Sequence, residues 1–238
     1  MNASRIALAL DLPSYDKGRA LALAVGDAVG MLKVGLELFV EAGPRAVGIG
    51  REAGLPVFLD LKLHDIPATV ERAVARASAL GAKMITVHAA GGATMLAKAA
   101  ERARKEGAGL EIVAVTVLTS LDAADMAALG ITEGVGMYVE RLARIAWNEG
   151  VRAFVCSAHE AALLRAAFGN GVTLITPGVR VATQVVGDDQ KRTMTAGQAV
   201  ANGATWVVVG RPIRDAVDPL AAASAINAEI EATKGTRI

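Results

Sequence analysis

The segment Asp60-Leu61-Lys62-Leu63-His64-Asp65 sets three charged groups among leucines. Burying charge is costly unless it is paired. In an extended chain, residues two apart share a face. Asp60 and Lys62 therefore point together, while Leu59, Leu61 and Leu63 point the other way. Two more charged residues belong to apolar runs of the same kind: Asp11 ends 5–11, and Lys33 lies near the end of 30–35. With Lys33 alongside, the set reads as an alternating Lys33-Asp60-Lys62 array with Asp65 as a fourth member.

Such an array has a chemical use. A lysine beside carboxylates stays protonated, which suits a proton donor. An aspartate held between two lysines stays ionised and repels a substrate carboxylate set beside it, by about 4 kcal/mol at a separation of about 4 Å and an effective dielectric of about 20. Titration of the cluster would belong to the group rather than to single residues. The same residues would also serve as an ion-pair network that merely closes one end of the fold. Asp11 alone would serve as a cap or turn residue.

A second constellation suits an anion. The runs Thr176-Pro177-Gly178-Val179-Arg180 and Gly210-Arg211-Pro212-Ile213 each join glycine to arginine. Glycine lets the backbone come close to a ligand, and the arginine fork matches phosphate oxygens. The alternative is a pair of surface turns with solvated arginines. The polar stretch 181–190 is long enough to act as a lid, from which Gln190 would reach the ligand.

The elements that must position these groups are short apolar runs: 5–11, 30–35, 55–62, 83–88, 111–117, 152–157, 172–176 and 205–209. Between them, stretches such as 67–80, 92–106, 136–149 and 193–202 carry apolar residues at helical spacing. Alternating strands and helices imply parallel pairing. Eight such units in 238 residues suit a single-domain α/β chain folded as a closed (β/α)8 (TIM) barrel over 1–238, with a doubly wound open sheet as the structural alternative. In a barrel, functional residues gather at the C-terminal ends of the strands, where these charges fall. The loops after the seventh and eighth strands are a common phosphate site.

Hydrophobic residues make up 53% of the chain and aromatics 3%, so the core must be built from Ala, Val, Leu and Ile. The formal net charge is +1, without a basic or acidic block, which argues against a nucleic-acid or membrane partner. Cys156 is the only cysteine, so it has no disulfide partner in the chain, and it reads as inert packing. The apolar run 6–10 is short for a signal-peptide core, and no run reaches the length of a spanning helix, so a cytoplasmic protein is expected. His64, His88 and His159 lack metal-ligand spacing, and no metal is expected. His64 and His88 read as structural, Gly91-Gly92 as a turn, and Trp147 and Trp206 as core.

The sequence resembles the orotidine 5'-phosphate decarboxylase family over essentially its whole length. The matching segments are LALDLP (8–13), LKVGLELF (32–39), VFLDLKLHDIPAT (57–69), VHAAGGATML (87–96), AVTVLTS (114–120), VCSA (155–158), TPGVR (176–180) and VVGRPI (208–213). DLKLHDIPAT carries the family's active-site signature.

This resemblance implies decarboxylation of orotidine 5'-phosphate to uridine 5'-phosphate, the last step of de novo UMP biosynthesis, without metal or organic cofactor. It implies that Asp11 and Lys33 bind the ribose hydroxyls, that Lys33, Asp60, Lys62 and Asp65 form the catalytic array, and that Lys62 protonates C6. Thr119 and Ser120 would line the pyrimidine end, and Arg180, Gln190, Gly210 and Arg211 would hold the 5'-phosphate. Family members are homodimers with shared sites, so Asp65 and Thr69 would reach into the partner's site. Two departures stand out. Ala68 replaces the asparagine of many members, and 181–190 is one residue longer than in some, which leaves Gln184 as the other candidate for the lid contact. Two further readings stay open: a magnesium-dependent sugar-phosphate decarboxylase or lyase of the same superfamily, and a non-catalytic phosphometabolite-binding barrel.

Overall fold

Short runs of β-branched and small apolar residues alternate with amphipathic helices, and the strands close on themselves. In a computed structural model, which describes residues 4–180 and 194–234, eight parallel strands form the barrel: β1 (Ile6–Ala9), β2 (Met31–Gly35), β3 (Val57–Leu63), β4 (Met84–His88), β5 (Glu111–Val115), β6 (Ala153–Val155), β7 (Thr173–Thr176) and β10 (Trp206–Val209). Consecutive strands are neighbours, and β10 closes the ring by pairing with β1 at Ile6↔Val207. The open-sheet alternative is thereby excluded. All eight expected runs become strands, most of them trimmed by a residue or more at their ends.

The sequence reading did not anticipate β8 (Val179–Arg180) and β9 (Met194–Thr195), which pair in parallel outside the barrel. Two residues of extended chain carry no periodicity that a sequence pattern can detect.

The two faces of the strands separate two apolar clusters. Facing inward are Ala7, Met31, Phe58, Met84, Val113, Ala153 and Ile175, with Val155, Trp206 and Val208 against them. The alternate residues, among them Leu8, Leu32, Leu59, Ile85, Phe154 and Val207, face the helices. Both faces are covered, which is why the strands read as nearly unbroken apolar runs.

The helices supply matching stripes. Helix Ala93–Glu106 buries Met95, Leu96, Ala99, Ala100 and Ala103 and ends at Gly107, whose φ of 68° gives it a left-handed cap. Helix Pro67–Ala79 starts with proline at its first turn and buries Val70, Val74 and Ala77. Helix Val135–Asn148 and the capped helix Ala196–Ala201 fall where the other two periodic stretches place them. Among the described residues no helix is long and apolar enough to cross a membrane.

The inward cluster also positions the charges. Two residues further along each strand, on the same face, Met31 leads to Lys33, Phe58 to Asp60 and Met84 to Thr86. The polar layer thus lies directly on the apolar plug, toward the C-terminal mouth.

Candidate active site

The geometry of the site starts with an irregularity in β3. Its pairing with β4 runs Phe58↔Met84 and Leu59↔Ile85, then resumes only at Leu63↔Val87. Asp60, Leu61 and Lys62 therefore lie against Thr86 alone. Such a bulge bends the strand and re-aims its side chains. Lys62 absorbs the turn with φ at 50°, and among the described residues no other non-glycine has a positive φ. A left-handed residue with a Cβ costs about 1–2 kcal/mol, so the surroundings must hold it there. The Lys62 N–H donates to Thr86 Oγ1 at 2.7 Å, in place of a ladder bond.

The charges then fall into a chain. Lys62 Nζ donates to Asp60 Oδ2 at 2.8 Å. Lys33 Nζ lies 3.7 Å from the same oxygen and 2.9 Å from Asp11 Oδ1. Asp60 Oδ1 accepts from the Thr86 hydroxyl at 3.0 Å. Asp11 is steadied by its backbone, whose carbonyl accepts from Arg214 Nη1 at 2.9 Å. Lys33 is buried, and the Asp60 side chain is only 13% exposed, whereas that of Lys62 is 32% exposed toward the mouth. The expected Lys33-Asp60-Lys62 alternation is thus present, with Asp11 at its end. Regular two-residue alternation is not how Lys62 gets there, since the bulge intervenes.

Burial alone would raise the Asp60 carboxyl. The charges of Lys33 and Lys62, with hydrogen bonds from Lys62 and Thr86, outweigh it and hold the group below the ordinary carboxylate value. Asp60 is therefore an anion fixed at the mouth with both oxygens engaged. On the next strand, burial pushes His88 below the ordinary imidazole value. Electrostatic repulsion from the neighbouring His64 ring and the Lys62 ammonium adds to this, and Asp60 opposes it. The two histidine rings lie 5.2 Å apart.

Asp65 is not brought into the array within one chain. It is exposed, and its Oδ1 accepts from the Ile66 N–H at 2.6 Å. It follows the end of β3 in an exposed bend, beyond the strand that carries Asp60 and Lys62. Thr69 sits in the first turn of helix Pro67–Ala79, where its hydroxyl accepts from Arg72 at 3.5 Å. Thr119 and Ser120 form the middle of a turn after β5, closed by the Leu121 N–H on the Leu118 carbonyl at 3.0 Å. Gly210 follows β10 and accepts at its carbonyl from the N–H groups of Ile213 and Arg214, which starts the short helix Arg211–Arg214. Arg180 is placed by its backbone in β8. Gln190, its alternative Gln184 and the proposed lid at 181–190 lie outside the described residues.

The sequence reading missed three residues of this site. Thr86 is a polar residue inside an apolar strand, in phase with His88, and that phase was the available signal. Gly35 leaves the space in which Asp11 meets Lys33. Arg214 lies three residues beyond the phosphate-loop arginine and had no pattern to mark it. Among the described residues, no three His, Cys, Asp or Glu side chains gather in a way that would hold a metal ion.

Comparison with known proteins agrees with this geometry. The sequence model described as "Orotidine 5'-phosphate decarboxylase / HUMPS family" matches residues 4–226. The chain is 54% identical over 226 residues to the orotidine 5'-phosphate decarboxylase of Anaeromyxobacter sp. (strain K), covering 95% of this chain and 98% of that one. It is 50% identical over 234 residues to that of Thermobifida fusca (strain YX), covering 97% of each. The crystal structure of orotidine 5'-phosphate decarboxylase from Lactobacillus acidophilus superposes with a TM-score of 0.80 at 32% identity, over 95% of this chain and 98% of that one. A barrel whose third strand bulges to seat Asp60 between two lysines, with sequence similarity running through nearly every element, places this chain in the orotidine 5'-phosphate decarboxylase / HUMPS family.

Proposed function

We propose that this chain decarboxylates orotidine 5'-phosphate to uridine 5'-phosphate, as the last step in making UMP. The observation that carries the reading is the Asp60 carboxylate held between Lys62 at 2.8 Å and Lys33 at 3.7 Å, at the mouth of a barrel of this family. A substrate carboxylate placed beside Asp60 meets a fixed negative charge that cannot easily be neutralised, because the lysines keep Asp60 ionised. Breaking the bond from C6 to the carboxylate relieves that repulsion. Carbon dioxide departs and the electron pair stays on C6. Lys62 Nζ then delivers a proton to that carbon. The lysine charge, already in place, stabilises the developing carbanion without reorganisation.

The remaining roles follow the resemblance. Asp11 and Lys33 hold the ribose hydroxyls, and Thr119 and Ser120 line the pyrimidine end. Arg180, Gln190, Gly210 and Arg211 bind the 5'-phosphate, whose binding energy is used to organise the reacting end. The exposure of Asp65, apart from the array of its own chain, supports a homodimer in which Asp65 and Thr69 complete the site of a second copy. The chain acts as one domain over 1–238, in the cytoplasm, without metal or organic cofactor. The Lys33 ammonium lies between Asp11 and Asp60, where the magnesium-dependent alternative would want its metal, and this favours the cofactor-free reading.

The test is ultraviolet absorbance of orotidine 5'-phosphate with protein purified in a chelator, alongside Lys62→Ala. Conversion to uridine 5'-phosphate that disappears in the variant is the expected result. An inactive wild-type dimer would overturn the reading.

A further inference from the structure

Thr86 touches both halves of the array, and the direction of its two hydrogen bonds is settled by chemistry. A hydroxyl has one proton to give and lone pairs to accept with. A backbone N–H can only donate, so at Lys62 the hydroxyl is the acceptor, at 2.7 Å. Its single proton is therefore available to Asp60 Oδ1, 3.0 Å away. The residue is fully buried in β4, so no water competes for either bond. Being β-branched, it is stiff about its first side-chain torsion. Three residues of β3 lie opposite it, and it makes the cross-strand bond that the bulge would otherwise lose.

We propose that Thr86 is a positioning residue of the decarboxylation, acting through Asp60 and Lys62 and not on the substrate itself. Its hydroxyl turns Asp60 so that Oδ1 is occupied and Oδ2 faces the two lysines. The same oxygen holds the Lys62 backbone at φ 50°, from which the side chain returns to Asp60 at 2.8 Å. One buried hydroxyl thus sets the relative placement of the anion that repels the substrate carboxylate and the ammonium that protonates C6. This inference rests on the decarboxylase reading. The groups facing Asp60 are Lys33 from β2, Lys62 from its own strand and Thr86 from β4, with Asp11 beyond Lys33 and His88 further along β4.

The experiment compares the full-length wild type with Thr86→Val, Thr86→Ala, Thr86→Ser and Lys62→Ala. It measures kcat and KM for orotidine 5'-phosphate across pH, and thermal melting. Loss of a hydrogen bond to a charged group predicts that Thr86→Val lowers kcat by roughly 10- to 100-fold, with KM near the wild-type value because ribose and phosphate contacts are untouched. The acid limb of kcat should move to higher pH in Thr86→Val, since Asp60 loses a donor to its ionised form. Thr86→Ser should restore both. If Thr86→Val does not fold, Thr86→Ala is the second hydroxyl-free variant and carries the same expectation. The proposal falls if a folded hydroxyl-free variant keeps wild-type kcat, if KM rises in place of the kcat loss, or if Thr86→Ser is no better than Thr86→Val. It falls too if neither hydroxyl-free variant folds, because the hydroxyl is then a structural strut. Lys62→Ala inactive beside a fully active Thr86→Val would sink this inference alone. An inactive wild type would sink the decarboxylase reading with it.

Discussion

Gly35 leaves open the space in which Asp11 meets Lys33. A Cβ on Gly35 would stand 2.7 Å from Asp11 Oδ1 and 2.9 Å from Lys33 Nζ, so the 2.9 Å pair between them could not keep its present place beside a side chain at position 35. Its backbone is extended, with φ at −92°, so conformational freedom is not the reason for glycine. Both threatened atoms are the ends of flexible side chains, which can swing aside. Gly35→Ala should therefore fold normally yet bind substrate poorly, raising KM by roughly 10-fold for a lost charged hydrogen bond at the ribose. Steady-state kinetics beside a melting curve check this. A KM near the wild-type value would show that the Asp11–Lys33 pair does not serve the ribose.

Asp60→Asn leaves Lys33 and Lys62 near one another without the anion between them. Breaking a mostly buried pair in this way predicts a loss of about 3 kcal/mol at neutral pH. The same change should lower kcat roughly 100- to 1,000-fold, the scale of removing one fixed electrostatic group. The stability difference has a direction in pH. The folded-state pKa of Asp60 is depressed, so its contribution is complete above the unfolded value of about 3.9. It fades as pH falls through the lower, folded value. Denaturant melts of both proteins from pH 7 downward should converge in acid. A gap that stays constant would show that the charge of Asp60 is not what stabilises the fold.

Much of this was legible in the sequence, for physical reasons that also mark where legibility stops. Strands buried on both faces must be apolar, so Lys33 and Asp60 stood out as charges that needed partners. Thr86 did not stand out, because threonine is at home in any strand and a hydroxyl carries no charge that demands explanation. The bulge at Lys62 was invisible to two-residue alternation, which presumes the register that the bulge breaks. Asp65 was expected as a fourth member of the array and, by the resemblance, as a group reaching into a partner's site; within one chain it takes the Ile66 N–H in a bend beyond the strand. Spacing along a chain cannot distinguish a group that joins the array of its own barrel from one that lies beyond it. Gly35 and Arg214 act through space on Asp11, across 24 and 203 positions of sequence, and no local pattern encodes such a meeting.

Cys156 follows β6 at 1% exposure, and burial, with the nearby negative charge of Glu160, pushes its thiol up to about 12. Glu160 is itself held by the hydroxyl and N–H of Ser157, the cap of helix Ala158–Phe168. The thiolate is the reactive form, so at pH 8 the native protein should not react with a disulfide reagent such as Ellman's. One equivalent should react after unfolding. Prompt labelling of the native protein would show that the helix end opens locally. If labelling instead tracks global unfolding, Cys156 becomes a built-in probe of the stability changes predicted above.

His88 offers a test of the charge array that does not depend on turnover. Burial first, then repulsion from the His64 ring and the Lys62 ammonium, hold it below the ordinary imidazole value, while Asp60 pulls the other way. The nuclear magnetic resonance titration of its ring proton should therefore show a midpoint below about 6.5, the unperturbed value. Lys62→Ala removes a cation and should raise that midpoint. Asp60→Asn removes the opposing anion and should lower it. Below about pH 6.5 the unfolded chain takes up a proton on this residue before the folded chain does, so folded stability declines as pH falls toward the lowered value. His88→Gln should flatten that decline. If neither Lys62→Ala nor Asp60→Asn moves the midpoint, the imidazole does not sense the array. The charges of β3 would then be screened from β4, even though Thr86 ties the two strands together.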